Sequence, residues 1–448
     1  MRPFISTAKE LKSIAVGMDF FPNTRDASFE KDNCMKITST ILLFLISTFL
    51  FSQEIIEFRG VNRTGWYNES GLLEKWPENG PGIIKRIEGI GKGYSQPIFA
   101  EGKIFVTGIK EDTVDVLSAY NLSGQLLWET PYGRSWIRSY IDSRSTPTYQ
   151  NGRLYVSSGT GQVSAVDAES GNIIWQENAI EKYGGEIYKH GDAESVLLAG
   201  NLVVYLTGGE KNTMVALNKN DGSLAWKTKS LGGAKSYASP TLIKHNDKFI
   251  VLAQTTDNLI GINPEDGKIL WSYDLVQYHE KSQGRGAQTN PPLYYDGEIF
   301  VTSGYDHPGI MLKISDDGES VQLKWKNQDI DTHHGGVVLV DENLYGSNWQ
   351  HNAKGRWVSV DWETGKTNWE EEWNNKGGII YANEMLYLYD EKSGNVALVK
   401  PNPEKLEIVS SFKMDEGEGP HWSHPAIYNG MLFIRHGNVM MIYDIKEK

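Results

Sequence analysis

Apolar and polar residues alternate over short stretches along most of the chain, and the pattern is clearest between Val163 and Trp175. Val163, Ala165 and Asp167 alternate with Ser164 and Val166, as the side chains of a half-buried strand do. Glu169-Ser170-Gly171 then supplies a turn with one residue that tolerates positive φ, and Ile173-Ile174-Trp175 begins a second strand. The hairpin returns as Ala216…Asn218…Gly222…Trp226, as Gly261…Asn263…Gly267…Trp271 and as Ser359…Asp361…Gly365…Trp369. In Ala119…Asn121…Gly124…Trp128 the turn is one residue shorter. The tryptophans at 128, 175, 226, 271, 325 and 369 stand about 45 to 54 residues apart, the period of a four-stranded propeller blade rather than of a helical repeat.

A second signature, Pro-x-x-x-x-Gly, marks Pro97…Gly102, Pro147…Gly152, Pro292…Gly297 and Pro425…Gly430, each followed by an apolar strand. Together the two signatures place blades near 94–130, 144–177, 192–228, 237–274, 289–327, 334–373, 376–414 and 422–445. The eighth unit ends after Met440-Met441-Ile442-Tyr443-Asp444 and lacks a fourth strand, whereas Gly82-Ile83-Ile84-Lys85-Arg86-Ile87 stands alone at the front. The pattern therefore predicts an all-β, eight-bladed propeller of four-stranded antiparallel blades over 53–448. Residues 53–81 form an N-terminal arm, and strand 82–88 closes the ring by pairing with the last blade, which removes an exposed edge.

A chain of 448 residues exceeds what one growing core can serve, and an array of blades answers that by building many small cores. The formal charge of −13, with no run rich in Lys and Arg, argues against nucleic acid as a partner. The single cysteine, Cys34, can form no disulfide within the chain, and no zinc-binding cysteine spacing exists. Met35-Lys36 precedes an apolar run from Ile41 to Phe51 that ends at Ser52-Gln53. At 11 residues the run is shorter than the roughly 20 needed to span a bilayer, so 35–52 reads as a secretory signal peptide. Residues 1–34 lack apolar periodicity and read as an upstream segment, a start-site artefact. The expected product is periplasmic or extracellular, and soluble rather than lipid-anchored, since no cysteine follows the apolar run where a lipid could be attached.

The run Ala165-x-Asp167-x-x-x-Gly171-x-x-x-Trp175 resembles the tryptophan-docking motif of the pyrroloquinoline quinone (PQQ) type propellers. Phe58-Arg59-Gly60-x-Asn62-Arg63 is similar to an N-terminal motif of the same group, and the resemblance covers 58–448. It implies eight blades, in a family that holds quinoprotein dehydrogenases and the noncatalytic BamB-like proteins of outer-membrane protein assembly. Repeats five and seven depart from it: Trp325 follows Gly318 at a longer spacing, and Ile408 or Val409 stands where Trp is expected. The motif tryptophans are expected to pack against neighbouring blades, and the Asp, Asn and Gly residues to shape turns, so none is assigned chemistry.

Function is expected where the fold gathers its loops, at the mouth of the channel lined by the innermost strands. The residues three positions ahead of each inner strand are Tyr94, Arg144, Asp192, Tyr237, Thr289, His334, Lys376 and Trp422. With His424 they make the predicted ligand-binding set, and nine of the ten histidines map to that face, His245 being the exception. No metal site is predicted. If His333 and His334 lie in a strand, their side chains point to opposite sides and cannot share an ion; Asp329, Asp331 and His333 have suitable spacing, but an acidic loop ahead of a strand is more often solvated. With no nucleophile–base or redox motif, no catalytic residue is predicted. The expected function is an exported, noncatalytic binding or scaffold propeller, BamB-like, meeting a protein partner or small ligand at the mouth, with outer-membrane assembly proteins as candidates. The alternative is a PQQ-dependent oxidoreductase, similar to alcohol or polyvinyl-alcohol dehydrogenases, holding PQQ with calcium. Such family members commonly carry an adjacent cysteine pair, which this sequence does not contain.

Overall fold

The computed structural model describes residues 55–279 and 286–447. The upstream segment with Cys34 and the signal peptide expected at 35–52 lie outside the described residues. Eight four-stranded antiparallel sheets follow one another, seven of them running from an innermost to an outermost strand in chain order and the eighth taking its outermost strand from the front of the chain. Blade two shows the plan: Thr148–Gln150, Arg153–Ser157, Gln162–Asp167 and Ile173–Asn178. The inner strand is commonly three residues long, and the two central strands are buried on both faces. The outer strand is buried on one face only, which is why tryptophan alternates there with exposed residues.

Each outer strand of the first seven blades carries a bulge at one place. Ala165 pairs with Trp175 but Val166 pairs with Ile173, so Ile174 is the extra residue; the shift recurs at Ala119/Tyr120, Ala216/Leu217, Gly261/Ile262, Met311/Leu312, Ser359/Val360 and Leu398/Val399. A bulge re-aims the following side chain, here the indole, toward the next blade. That indole lies flat against the turn glycine of the next hairpin. A Cβ on Gly222 would meet the Trp175 ring at 2.7 Å, and one on Gly171 the Trp128 ring at 2.6 Å. The indole N–H donates to a carbonyl of the same turn: Trp175 to Lys219 at 2.8 Å, Trp226 to Pro264 at 2.9 Å, Trp325 to Trp362 at 2.9 Å. The repeat motif is thus a contact between adjacent blades, with tryptophan supplied by one and glycine by the next.

The two departures have structural answers. Blade five has the longer turn, its Gly318 lies against Ile250 rather than an indole, and Trp271 Nε1 finds no partner among the described residues. In blade seven the register places Ser410, not Ile408 or Val409, at the tryptophan position. Ser410 Oγ accepts the Trp76 backbone N–H at 3.0 Å, and the arm thereby lends its own buried indole, packed on Tyr387 and Phe412, to that junction.

Strand Gly82–Glu88 pairs antiparallel with Val439–Asp444, Ile83 opposite Tyr443 and Glu88 opposite Val439, completing the eighth blade. Ile87 then lies against Gly124 where other blades use tryptophan. The arm also reaches the inner edges of distant blades. Arg59 donates to the carbonyls of Val337 at 2.7 Å and Ile379 at 3.0 Å, and its Nη1 lies 2.9 Å from His424 Nδ1, so one buried guanidinium ties blades six, seven and eight.

Candidate functional site at the channel mouth

The connections that lead into the inner strands bring aromatic rings from most blades into one series. Trp422 stands between Tyr94 at 4.9 Å, Tyr140 at 5.5 Å and His334 at 4.9 Å, centroid to centroid. On one side the series runs through Tyr140, His190 and Tyr237 to Tyr188, with steps of 5.3, 6.3 and 6.0 Å. On the other it runs from His334 through His333 and Tyr305 to Trp349, with steps of 3.4, 4.5 and 5.3 Å.

Polar groups behind the rings hold them in place. Arg144 donates to the carbonyls of Tyr140 and His190 at 2.5 Å each and to Ser139 at 3.2 Å. Tyr94 donates to Asp142 at 2.7 Å, and the Tyr237 hydroxyl accepts the His190 N–H at 3.2 Å. These bonds fix the connection between blades one and two, whose Ile137, Tyr140 and Ile141 are 55, 52 and 41 % exposed. Three large apolar side chains in five residues are left facing water, and Tyr140 among them packs on Trp422.

Of the nine residues predicted, Tyr94, Arg144, Tyr237, His334 and Trp422 are brought together at this surface. Thr289 stands behind it, its hydroxyl donating to the carbonyls of His333 and, at 3.2 Å, Ser303. Asp192, Lys376 and His424 are buried below it. Asp192 accepts from Tyr205 at 2.5 Å and pairs with Lys235 at 3.2 Å, next to Glu194, whose carboxyl burial pushes up to about 7 although Lys235 opposes the shift. Lys376 pairs with Glu391 and donates to the carbonyls of His351 and Asn352. His424 is held between Arg59 and the His334 carbonyl, at 2.9 and 2.8 Å. Their polarity serves buried pairing, which position ahead of a strand could not distinguish from exposure.

The histidine pair departs from its expected geometry. His333 and His334 do not lie in a strand; they sit in the connection ahead of Val338–Val340, and their rings are neighbours rather than on opposite sides. Gly336, at φ +71°, lets the backbone turn close against the Arg59 guanidinium, where a Cβ would collide. Burial first, and Lys376 second, hold the His334 ring below its usual titration range; His333 is shifted further, by burial and then by His334. Ring nitrogens of both histidines and carboxylate oxygens of Glu391 lie within 4.8 Å of one another. The residues that sequence reasoning missed are Ile137, Tyr140, Ile141 and Glu391; apolar residues crowding a connection between blades were the one visible sign of the first three.

The family model described as outer membrane protein assembly factor BamB matches residues 110–371. The chain belongs to this family. A BamB of Yersinia pestis is 25 % identical over 327 residues, which cover 69 % of this chain and 75 % of that protein. One of Shewanella oneidensis is 23 % identical over 324 residues, covering 68 and 76 %. The fold is shared with the crystal structure of BamB from Moraxella catarrhalis, at TM-score 0.58 and 12 % identity, covering 81 % of this chain and 99 % of that one. It is shared equally with a europium-containing methanol dehydrogenase, at TM-score 0.61 and 11 % identity, covering 84 and 88 %.

That second likeness brings PQQ with a metal into question, and the mouth does not fit them. The cavity bounded by His334, Glu391, His421, Trp422 and His424 is about 10 Å³, room for about one water and far below the roughly 300 Å³ at which ligand pockets begin. Calcium takes six to eight oxygen donors at about 2.3–2.6 Å, whereas the carboxylate here, Glu391, is paired with Lys376 and otherwise surrounded by imidazoles.

Proposed function

We propose that this protein is an exported, noncatalytic scaffold in the assembly of outer-membrane proteins, and that it holds a protein partner on the mouth face. The observation that carries the reading is the exposed trio Ile137, Tyr140 and Ile141, with Tyr140 packed on Trp422, on a connection pinned by Arg144. Contiguous exposed apolar side chains framed by polar ones mark interaction surfaces, and Tyr, Trp and Arg are the residues that dominate binding energy there. Because Arg144 and Asp142 hold the connection from behind, little ordering is left to be done on binding. Family membership supplies the context, and the narrow cavity favours surface contact over burial of a small ligand.

The test is binding of the purified protein to purified components of an outer-membrane assembly complex, with the Ile137→Ser/Ile141→Ser double variant alongside. Loss of at least about tenfold in affinity, with an unchanged melting temperature, is expected for a hot-spot patch. Equal binding by both proteins refutes the mouth as the docking face, and failure of the unaltered protein to bind any component refutes the scaffold role. An absorption change and dye-coupled alcohol oxidation with PQQ and calcium would establish the dehydrogenase reading instead; neither is expected.

A further inference from the structure

Most described histidines near the mouth have a polar partner for a ring nitrogen: His190 with Ser139 at 2.9 Å, His421 with Tyr389 at 2.5 Å, His424 on both sides, His436 with two backbone carbonyls. His333 differs. It is 5 % exposed, and among the described residues neither Nδ1 nor Nε2 has a hydrogen-bond partner; Nδ1 of His334 has none there either. A buried imidazole without a partner is costly, and natural proteins rarely leave one so. Both rings are nevertheless rigidly placed through their backbones. The His333 carbonyl accepts from Thr289 and from Asn290 at 2.9 Å, and the His334 carbonyl faces His424 Nε2 at 2.8 Å.

The third member is Glu391. Its Oε1 is held by Lys376, which leaves Oε2 turned toward His334 Nδ1 at 4.0 Å. A carboxylate fixed on one oxygen by a buried lysine and free on the other resembles the outer-shell support that metal ligands receive. Two neutral imidazoles and a carboxylate make a donor set that suits zinc and its neighbours among the divalent transition ions and disfavours calcium and magnesium.

We propose that His333, His334 and Glu391 form a binding site for one divalent transition-metal ion of the zinc class at the channel mouth. Three protein donors leave a coordination position open, and it faces the small cavity shared with His421 and Trp422. Closing the ligand set draws the donors, now within 4.8 Å, a little closer, which the partly exposed His334 ring can do by side-chain rotation. The inference does not depend on the scaffold reading, since it concerns an ion and not a partner protein.

The full chain, stripped with a chelator, is titrated with Co²⁺ and then with Zn²⁺. One equivalent of Co²⁺ is expected to give visible absorption bands that one equivalent of Zn²⁺ abolishes, and Zn²⁺ but not Ca²⁺ is expected to raise the melting temperature. His334→Ala and Glu391→Gln should each weaken Co²⁺ binding by at least about tenfold, while His351→Ala, which removes an exposed mouth imidazole, should leave it unchanged. His334→Ala gives up no hydrogen bond at Nδ1, and Glu391→Gln keeps a side-chain oxygen for Lys376, so both variants are expected to fold. If one does not, the other carries the comparison. Absence of a stoichiometric cobalt band, a Ca²⁺ shift equal to that of Zn²⁺, or full binding by either folded variant overturns the proposal.

Discussion

A single indole hydrogen bond separates two tryptophans that look alike in the sequence. Trp175 donates to Lys219, whereas Trp271 Nε1 has no partner among the described residues, and both rings are buried. Trp175→Phe should therefore cost up to about 1 kcal/mol more than Trp271→Phe, because it gives up a buried hydrogen bond and leaves the Lys219 carbonyl with only Arg153 Nη1 at 3.3 Å. Either change to Ala should cost about 3–5 kcal/mol. Chemical denaturation of the four variants measures both statements. At the same scale, burial and the neighbouring His436 lower the His421 ring from 6.5 to about 4. The folded protein thus resists protonating it, so the contribution is complete above about pH 6.5 and is lost as pH falls toward 4. Screening by the water that reaches the ring reduces it to on the order of 1–2 kcal/mol. Thermal melting between pH 7 and 4 should fall less steeply for His421→Asn than for the unaltered protein.

Elements were more legible than sites, for a physical reason. The hairpin motif is local: alternation, a turn glycine and a tryptophan occupy thirteen consecutive residues, and each does its work against the next copy. Even the missing fourth strand could be found, because Gly82 to Ile87 has the length and character of a strand and lacks a neighbour in sequence. What could not be read was the bulge, which moves the seventh tryptophan position to Ser410, and the loan of Trp76 from the arm to fill it. The mouth was legible only by half. Position ahead of an inner strand identifies which residues arrive there, but whether one ends half-buried at the surface like Trp422 or paired in the core like Lys376 depends on partners supplied by other connections. The histidine pair escaped a strand-based reading because its connection is turned by Gly336. The closing strand offers a check on the element itself: Ile87, 3 % exposed, and Ile83, 64 % exposed, lie in one strand. Ile87→Ala should cost about 2–5 kcal/mol and Ile83→Ala under about 0.5 kcal/mol, as read by urea midpoints.

For the molecule as a whole, stability and binding are laid out at different places. Tryptophan contacts between blades and the Arg59 anchor hold the ring, while the apolar trio and the histidine pair occupy connections whose side chains carry little of it. No helix among the described residues is long and apolar enough to cross a membrane. We propose that the protein is secreted after cleavage of the leader at 35–52. Expression from Met35 followed by mass spectrometry of the exported product should find its first residue near Gln53, and recovery of residues before Met35 would refute this.

Closure by strand Gly82–Glu88 makes the order of synthesis matter. A chain made from its N-terminus exposes Ile83 and Ile84 early, yet the strand that receives them, Val439–Asp444, is among the last segments to appear. Until then the nascent array is a crescent with two open edges, each a template for the wrong strand. That pairing is therefore a latch: while Val439–Asp444 has not met Gly82–Glu88 both edges stay open, and a cell that makes this protein must keep the first strand from other edges until the latch forms.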